Sequence, residues 1–430
     1  MKRLIETKLL DWKNKANRRP LLLVGARQIG KSHSVIEFGK CNYANVALFN
    51  FETSETLRKI FDSDLDPKRI VKDLEGFSRQ TIVPEKTLIF FDEIQACGKA
   101  LNSLKYFCEQ APEYHIIAAG SLLGSYLVRD FVSFPVGKVD RIVMYPMTFR
   151  EFLMEMNPHI ISLIEEAFKN DKPMNLHDTA LELYRTYLFT GGMPKAVSEW
   201  KEKQDPILVS VLQHEILSVY TGDMGKYSTP IEQVKTRAVY DSLPAQLARE
   251  NKKFQYALIG SSARAAGYEL GLEWLRSAGL VLKCSKTNKG ELPIASHIDL
   301  NSYKVYMSDV GLLNAKSGVP PISILSERAQ LSSDAKGAMT ENYVMQELTA
   351  NDLTPYYWES DGKAEVDFVI QLHDKVIPVE VKSADSVRAK SLQVFVSKYA
   401  PPYSIRVSTK NFGFENGIKS VPLYAVWCVK

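Results

Sequence analysis

The sequence predicts an α/β protein of several domains, and three observations lead to that prediction. At 430 residues the chain is too long for one hydrophobic core, which indicates roughly two to four domains. Four short apolar runs alternate with helical patterns in the first third, as in a parallel sheet covered on both faces. These runs are 21–24, 45–51, 87–91 and 115–119. A second group of strand patterns, bounded by turn residues, follows in the last quarter.

Composition and charge narrow the class of protein. Hydrophobic residues make up 45% and charged residues 24%, as in an ordinary folded protein, and the net charge of +4 permits a nucleic-acid partner without requiring one. No apolar run reaches the roughly 18 residues of a membrane span, and residues 1–8 lack a signal-peptide core. The five cysteines have no C-x-x-C spacing, so we expect reduced thiols in a cytoplasmic protein, with no disulfide or zinc site. They are Cys41, Cys97, Cys108, Cys284 and Cys428.

The strongest chemical signal follows the first apolar run. Residues 25–32 match G-x-x-x-x-G-K-[ST] between a strand pattern and a helix pattern, which is the context this phosphate-binding loop requires. Loop N–H groups and the helix N-terminus favour phosphate, Lys31 can reach the β- and γ-phosphates, and the Ser32 hydroxyl can bind Mg²⁺. The predicted nucleotide-binding set is Gly25, Ala26, Arg27, Gln28, Ile29, Gly30, Lys31, Ser32 and His33.

Two further strands end in polar residues where such a sheet binds its ligand. The run ending at 92–93 places Asp92 in the Mg²⁺ shell and Glu93 beside the attacking water as the general base. The run at 115–121 ends in Ser121, which is a candidate sensor of the γ-phosphate. An alternative role for Ser121 is the N-cap of a following helix.

These residues resemble the AAA-type ATPases of the AAA_14/DUF4143 group. The resemblance rests on residues 19–32, 91–95, 119–121, 145–152 (Tyr-Pro-Met-Thr-Phe-Arg-Glu-Phe), 191–194 (Gly-Gly-Met-Pro) and 308–313 (Ser-Asp-Val-Gly-Leu-Leu). It implies a P-loop ATPase core over 1–154 that uses ATP and Mg²⁺. The group often has Gly-Arg before the Tyr-Pro segment, where this chain has Gly137 and Lys138.

That departure concerns the arginine that such ATPases contribute across a subunit interface. A lysine lacks the planar fork with which arginine stabilises transition-state charge. Arg129, Arg141 and Arg150 are the nearby candidates, and the sequence does not distinguish among them. A homo-oligomer is accordingly one expectation.

The middle of the chain is predicted to form a helical domain followed by a winged-helix-like domain. Residues 155–235 are helical in pattern and are predicted to form a lid over the nucleotide. Residues 236–315 combine two helices with a basic-tipped hairpin, which resembles a winged helix. There Ser262 would cap the helix that enters a DNA groove, Arg264 would lie near its tip, and Lys286 and Lys289 would meet phosphates. A winged helix used only for packing or protein contacts is the alternative.

A polar linker is predicted at 316–336, and a second chemical constellation follows at 337–430. Glu341 lies on a helix, Asp367 on a strand, and Glu380 and Lys382 two residues apart on the next strand, so that both point to one face. Three carboxylates and a lysine at one sheet edge predict a Mg²⁺ site with a water-activating group. A surface salt-bridge pattern is the alternative for Glu-x-Lys alone.

The constellation resembles the PD-(D/E)xK nuclease fold of restriction endonucleases and Holliday-junction resolvases. The resemblance implies that Asp367 and Glu380 bind the metal, that Lys382 is catalytic, and that Glu341 is the acidic residue carried by the helix. The full prediction is an α/β protein with an AAA-type core, a helical lid, a winged-helix-like domain and a restriction-endonuclease-like domain.

Two functions fit this architecture. In the first, ATP hydrolysis is coupled to DNA binding, and in its stronger form the C-terminal domain also cuts DNA. In the second, slow hydrolysis controls assembly in a nucleotide-gated switch, and the C-terminal domain only binds a partner. Stimulation of hydrolysis by DNA would favour the first, and stimulation by another protein alone would favour the second.

Overall fold

A five-stranded parallel sheet forms the centre of the N-terminal region in the computed structural model. Its strands are β1 (Leu21–Val24), β2 (Asn45–Asn50), β3 (Thr87–Asp92), β4 (His115–Gly120) and β5 (Asp140–Val143). Their order is β2-β3-β4-β1-β5, and every neighbouring pair is parallel. This confirms the predicted α/β class with a parallel sheet. Because β1 lies beside β4 and β5 while β2 lies at the far edge, the loop after β1 opens at a point where the strand order reverses.

The structure describes residues 1–121, 137–226, 229–249, 252–260, 263–326, 331–360, 364–383 and 390–430. Three predictions lie outside these residues. They are the candidate arginine Arg129, the helix-capping Ser262, and the helix that Ser121 would cap.

The chain divides into two compact units. The first comprises Met1–Tyr145 and Glu273–Gly279, and the second comprises Pro146–Leu272 and Leu280–Lys430. The first unit therefore ends before residue 154, the predicted end of the ATPase core. Packing explains the difference, because the Phe149 amide donates to Glu347 Oε1 at 2.9 Å and the Phe149 ring centroid lies 5.4 Å from that of Tyr187.

Burial explains the elements of the first unit. Strands β1, β3 and β4 are buried at every position, as their apolar sequences predict for a sheet covered on both faces. Short helices connect them. They are Ile5–Asn14, Lys31–Asn42, Glu55–Lys59, Pro67–Ser78 and Gly98–Gln110, with a 3₁₀ turn at Ile94–Ala96.

An eight-stranded mixed sheet forms the second unit's framework. Its strands are β6 (Val281–Thr287), β7 (Ile298–Met307), β8 (Tyr356–Ser360), β9 (Ala364–Leu372), β10 (Lys375–Val381), β11 (Ser404–Ser408), β12 (Gly413–Glu415) and β13 (Ile418–Pro422). They follow the order β12-β13-β11-β10-β9-β8-β6-β7. The β6–β7 hairpin is antiparallel, and β6 also pairs in parallel with β8 through Ser285–Tyr356 to Thr287–Trp358.

This pairing differs from the predicted separation of 236–315 from 337–430. The hairpin that resembled a wing continues the C-terminal sheet, because its backbone N–H and C=O groups on one edge are satisfied by β8. The linker predicted at 316–336 contains the helix Pro321–Leu325 and the start of the helix Ser333–Ala350.

Helices make up most of the remaining second unit. They are Phe149–Met156, His159–Asn170, His177–Thr190, Pro194–Lys203, Pro206–Asp223, Pro230–Leu247, Val310–Lys316, Pro321–Leu325, Ser333–Ala350 and Lys390–Tyr399, with 3₁₀ turns at Tyr256–Leu258, Ile294–His297 and Leu423–Cys428. The helix Ala265–Ser277 has residues in both units. Within the described part of the chain, no helix combines the length and apolar character that a membrane span requires.

Candidate functional site

The loop after β1 has the backbone geometry that a phosphate-binding loop needs. Gly25 has φ +149°, and a Cβ there would lie 2.2 Å from the Met144 carbonyl oxygen, so only glycine fits. Gly30 has φ 91° and precedes the first residue of the helix Lys31–Asn42. The N-terminus of this helix therefore faces the loop with free N–H groups and the positive end of its dipole.

Lys31 is buried, and its hydrogen-bond acceptors among the described residues are neutral carbonyl oxygens. Its Nζ donates to the carbonyl oxygens of Gly25 at 2.9 Å and Ala26 at 2.7 Å, and the residue is 7% exposed. Burial lowers the pKa of Lys31 to about 8, although Glu93 and Asp92 act in the opposite direction. The ammonium group is therefore poorly compensated, and an anionic ligand would stabilise it.

Ser32 and Asp92 meet across the loop, as the sequence predicts for a Mg²⁺ pair. The Ser32 hydroxyl donates to both Asp92 carboxylate oxygens, at 3.1 Å and 3.0 Å. Asp92 is the last residue of β3, and burial raises its pKa. A hydroxyl and a carboxylate at the phosphate loop are the oxygen donors that Mg²⁺ takes beside nucleotide phosphates, so these residues fit the ion.

Glu93 and Ser121 also converge beside this pair. Glu93 adopts φ 50°, an uncommon backbone conformation for a residue that is not glycine. Its Oε2 accepts hydrogen bonds from Gln95 Nε2 at 2.6 Å and from the Ser121 hydroxyl at 3.3 Å. The ends of β3 and β4 thus place the predicted base and the predicted sensor within contact, as neighbouring parallel strands require.

The other predicted loop residues have different surroundings. Ala26 and Ile29 are buried at 2% and 0% exposure, so only their backbone groups face the loop interior. Arg27 Nη2 lies 3.4 Å from Glu52 Oε2. Gln28 and His33 are exposed, and their predicted contacts with nucleotide remain predictions.

Two residues that support this site received no role in the sequence analysis. Buried Arg3 donates from Nη1 to the Ile29 carbonyl at 2.6 Å and from Nη2 to the Tyr145 carbonyl at 2.8 Å, and so anchors the loop. Gln95 orients Glu93 as described above. Gln95 lies within the motif at 91–95, whereas Arg3 belongs to none of the motifs that the sequence analysis identifies.

The residues of the second constellation come together in the C-terminal region, and further lysines join them. Glu341 lies on the helix Ser333–Ala350, Asp367 on β9 and Glu380 on β10, and the three carboxylates influence one another's pKa. Lys382 Nζ lies 2.7 Å from Glu380 Oε1, as the predicted shared face requires. The Val381 amide donates to Asp367 Oδ2 at 2.7 Å.

Glu341 is already bound by cationic and phenolic donors. Lys252 Nζ donates to its Oε1, the Tyr306 hydroxyl donates to its Oε2 at 3.0 Å, and Lys304 Nζ lies 3.8 Å from the same Oε2. Burial alone would raise the pKa of Glu341, but Lys304 and Lys252 hold it below its usual value. Burial raises the pKa of both Asp367 and Glu380.

The C-terminal carboxylates do not fit the three-ligand metal site that the sequence predicts. Among the described residues, no three Asp, Glu, His or Cys side chains are arranged to share a metal ion. Glu341 is engaged by Lys252, Lys304 and Tyr306 instead. Lys252 and Lys304, which lie outside 337–430, thus bind Glu341 where the sequence predicts a metal ion.

The predicted DNA-contacting lysines are also in ion pairs. Lys286 Nζ lies 3.4 Å from Glu359 Oε2, and Lys289 Nζ lies 3.8 Å from Glu291 Oε2. Arg264 is exposed.

The described candidates for the arginine that would act across a subunit interface differ in their surroundings. Arg150 Nη2 lies 3.0 Å from Glu165 Oε1, and its guanidinium lies 5.3 Å from the Trp427 ring centroid. Lys138, the residue at the departure, lies 2.8 Å from Glu109 Oε1. Arg141 is exposed on the edge strand β5.

Three family models match successive parts of the chain. Residues 17–153 match an AAA domain (AAA_14), residues 181–323 a domain of unknown function (DUF8612), and residues 336–426 another domain of unknown function (DUF4143). The first and third matches confirm the resemblance to a P-loop AAA-type ATPase, and the first supports ATP binding and hydrolysis. The nuclease-like and winged-helix-like assignments remain predictions. No curated protein matches the sequence.

Solved structures of a Walker-type ATPase and of two ORC proteins resemble the chain at low identity. A Walker-type ATPase of Pyrococcus abyssi is 16% identical, with 73% of this chain and 95% of that chain covered and a TM-score of 0.42. The Aeropyrum pernix ORC2 protein in ADPNP-ADP complexes is 12% identical, with 79% and 94% covered and a TM-score of 0.39. The Aeropyrum pernix ORC1 protein in complex with DNA is also 12% identical, with 75% and 92% covered and a TM-score of 0.26. Similarity at this level carries no argument about partners of this chain.

Proposed function

We propose that this protein binds ATP with Mg²⁺ at the loop after β1 and hydrolyses it. The observation that carries the proposal is the contact between the Ser32 hydroxyl and the Asp92 carboxylate, at 3.1 Å and 3.0 Å, directly beside buried Lys31. A hydroxyl, a carboxylate and a poorly compensated ammonium at a helix N-terminus are the groups that a nucleotide triphosphate and its metal ion need.

Lys31 binds the phosphates in this proposal. Its hydrogen bonds to the Gly25 and Ala26 carbonyls are exchanged for bonds to β- and γ-phosphate oxygens, which carry full negative charge. Ser32 and Asp92 would hold Mg²⁺, which supplies positive charge to the phosphate oxygens when it is bound. The loop N–H groups and the helix N-terminus stabilise the remaining negative charge.

Glu93 orients the attacking water and accepts its proton at a carboxylate oxygen. Gln95 and Ser121 hold Glu93 Oε2 at 2.6 Å and 3.3 Å, which fixes the carboxylate at the edge of the phosphate loop. Ser121 lies close enough to Glu93 to respond to the γ-phosphate, in keeping with a sensor role.

We also propose that a second copy of the chain contributes an arginine to the nucleotide site. Arg141 is the described arginine candidate that is best placed for it, because it is exposed and belongs to an edge strand. Arg150 is engaged with Glu165 and Trp427, so its release would cost these contacts. Replacing Arg141 with Ala should reduce hydrolysis only under conditions in which the protein assembles.

We further propose that hydrolysis is coupled to a partner bound by residues 236–430, with DNA as the predicted partner. The side chains that bind Glu341 favour the form of the first function in which the C-terminal region binds DNA without cutting it. Hydrolysis measured with and without branched and linear DNA, while DNA integrity is followed in the same reaction, separates the two.

Asp92→Asn tests the catalytic assignment. The variant should keep most of its affinity for an ATP analogue but lose Mg²⁺-dependent hydrolysis by about 10²-fold or more, because the metal loses its anionic ligand. The matched control is Asp62→Asn, whose carboxylate lies in an exposed ion pair with Lys99. Retained turnover in Asp92→Asn would overturn the assignment.

A further inference from the structure

A compact ionic cluster occupies the C-terminal region where the sequence predicts a metal site. We call it the carboxylate–lysine cluster. It brings together a helix, three strands and the segment around residue 252. Its carboxylates are Glu341, Glu365, Asp367 and Glu380, and its ammonium groups belong to Lys252, Lys304 and Lys382.

We propose that Lys304 is the resident cation of this cluster and that the C-terminal region therefore works without a divalent metal ion. Lys304 has 0% exposure, and its Nζ lies 2.5 Å from Glu365 Oε1 and 3.8 Å from Glu341 Oε2. It thus links a carboxylate of β9 to a carboxylate of the helix Ser333–Ala350. A metal ion in such a cluster would make the same link.

The surroundings of Lys304 stabilise it as an ammonium ion. Its Nζ also lies 5.0 Å from the centroid of the Tyr357 ring, within the range of a cation–π contact. A buried ammonium is costly unless carboxylates and hydrogen-bond acceptors compensate it, and this one has both. Lys304 is therefore a fixed part of the cluster and has no need of an anionic ligand.

Lys252 binds Oε1 of Glu341, the carboxylate oxygen opposite the one near Lys304. Its side chain is 14% exposed and binds Glu341 Oε1, while Tyr306 and Lys304 contact Oε2. Both oxygens of Glu341 are thus occupied by donors. A divalent cation placed against Glu341 would lie close to two ammonium groups, which would repel it.

One acceptor in the cluster is still available. Glu380 Oε2 is buried and has no hydrogen-bond partner among the described residues. Together with Asp367 it would be the place for a metal ion if the cluster bound one. A test of the proposal therefore has to remove Glu380 as well as Lys304.

Mn²⁺ binding by the full chain provides the first test. The measurement is made without nucleotide in an Asp92→Asn background, which disables the metal ligand at the phosphate loop, and free Mn²⁺ is followed by electron paramagnetic resonance. We expect no saturable binding at millimolar Mn²⁺. Saturable binding that the further change Glu380→Gln abolishes would overturn the proposal. The readout is metal binding alone, so it does not depend on whether the protein hydrolyses ATP.

A charge-matched double variant provides the second test. Lys304→Met with Glu365→Gln removes the ammonium and its nearest carboxylate together, so that no single charge is left unpaired by the change. We expect this variant to gain saturable Mn²⁺ binding at millimolar or lower Mn²⁺, which the parent lacks, and to lose it on adding Glu380→Gln. The control is Lys59→Met with Glu55→Gln, an exposed pair whose removal should leave Mn²⁺ binding unchanged. No gain in the folded double variant would overturn the role of Lys304 as the group that excludes the metal.

Discussion

Two buried lysines, Lys31 and Lys304, show how opposite surroundings give the same side chain different roles. Lys31 is 7% exposed and donates to the carbonyl oxygens of Gly25 and Ala26. Lys304 is 0% exposed and lies against the carboxylates of Glu365 and Glu341. Burial lowers the pKa of Lys31 to about 8, whereas the carboxylates raise the pKa of Lys304 despite its burial.

The difference indicates where the molecule needs a ligand. Neutral carbonyls accept the hydrogen bonds of Lys31, and Glu93 and Asp92 offset only part of the cost of burying its charge, so binding of a polyphosphate stabilises the ammonium further. Carboxylates compensate Lys304 completely, so a ligand has nothing to add. A buried ammonium therefore indicates an anion site only when no carboxylate already neutralises it.

The largest expected effect is on stability. Lys304→Met should lower the free energy of unfolding by about 3–5 kcal/mol, because it removes the ammonium partner of Glu365 and one of the two ammonium groups beside buried Glu341. Urea unfolding followed by circular dichroism measures it. Lys31→Met is the paired control and should not lower the same quantity, because burial of the Lys31 charge is itself unfavourable. Equal losses in the two variants would break the comparison.

Affinity for ATP should depend on Lys31 and not on Lys304, which is the reverse of the order expected for stability. Lys31→Met removes the charge-assisted hydrogen bonds to the β- and γ-phosphates and should weaken binding of a non-hydrolysable ATP analogue by roughly 10²-fold. Isothermal titration calorimetry with Mg²⁺ measures it. The double variant Lys304→Met with Glu365→Gln should bind the analogue as the parent does. Unchanged affinity in Lys31→Met would refute the assigned role of Lys31.

The pKa of Lys31 also predicts a pH dependence of nucleotide binding. Its pKa is about 8 in the folded chain without nucleotide, against an ordinary value of 10.5. Since phosphate stabilises the ammonium, bound nucleotide raises that pKa, and affinity is full below about pH 8 and falls by up to tenfold per pH unit above it. Calorimetry in buffers of different ionisation enthalpy should detect proton uptake at pH 9 and almost none at pH 7. Equal uptake at both values would contradict the assignment.

The lowered pKa of Lys31 also makes the free energy of unfolding depend on pH. Between about pH 8 and 10.5 the unfolded chain holds a proton on Lys31 that the folded chain has released. The contribution of Lys31 to the free energy of unfolding therefore rises with pH in this window. This contribution is isolated by measuring the free energy of unfolding of the parent and of Lys31→Met at each pH and taking the difference.

The smallest expected effect comes from a lysine at the surface. Lys99 Nζ lies 2.9 Å from Asp62 Oδ1, but the side chains are 56% and 60% exposed. Lys99→Ala should change the free energy of unfolding by no more than about 1 kcal/mol, because water already solvates both charges. A larger loss would mean that contact distance, and not burial, sets the value of a lysine–carboxylate pair in this protein.

Local sequence was sufficient to predict much of the nucleotide site. The loop at 25–32 and the polar ends of β3 and β4 are short patterns whose meaning depends on neighbours in the chain. The structure brings Lys31, Ser32, Asp92 and Glu93 together as those patterns imply. Arg3 could not be found in this way, because its partner Ile29 lies 26 residues away and the carbonyl it binds leaves no mark in the sequence.

The C-terminal region shows the limit of pattern reasoning more clearly. Glu341, Asp367, Glu380 and Lys382 have the order and spacing of a metal site, and the fold brings them together. Lys304 decides what that site can hold, yet it lies on a strand that the sequence placed in another domain. The pairing of β6 with β8, which carries this hairpin into the sheet, involves residues about 70 positions apart.

The sequence by itself thus determined the α/β class, the phosphate loop and the acidic residues at the strand ends, because helices, strands and tight loops depend on local periodicity and backbone preference. Only the tertiary structure decided which charges meet. It gave Lys31 neutral carbonyls and gave Lys304 carboxylates, and the chemistry of a buried charge depends on the neighbours that replace its water.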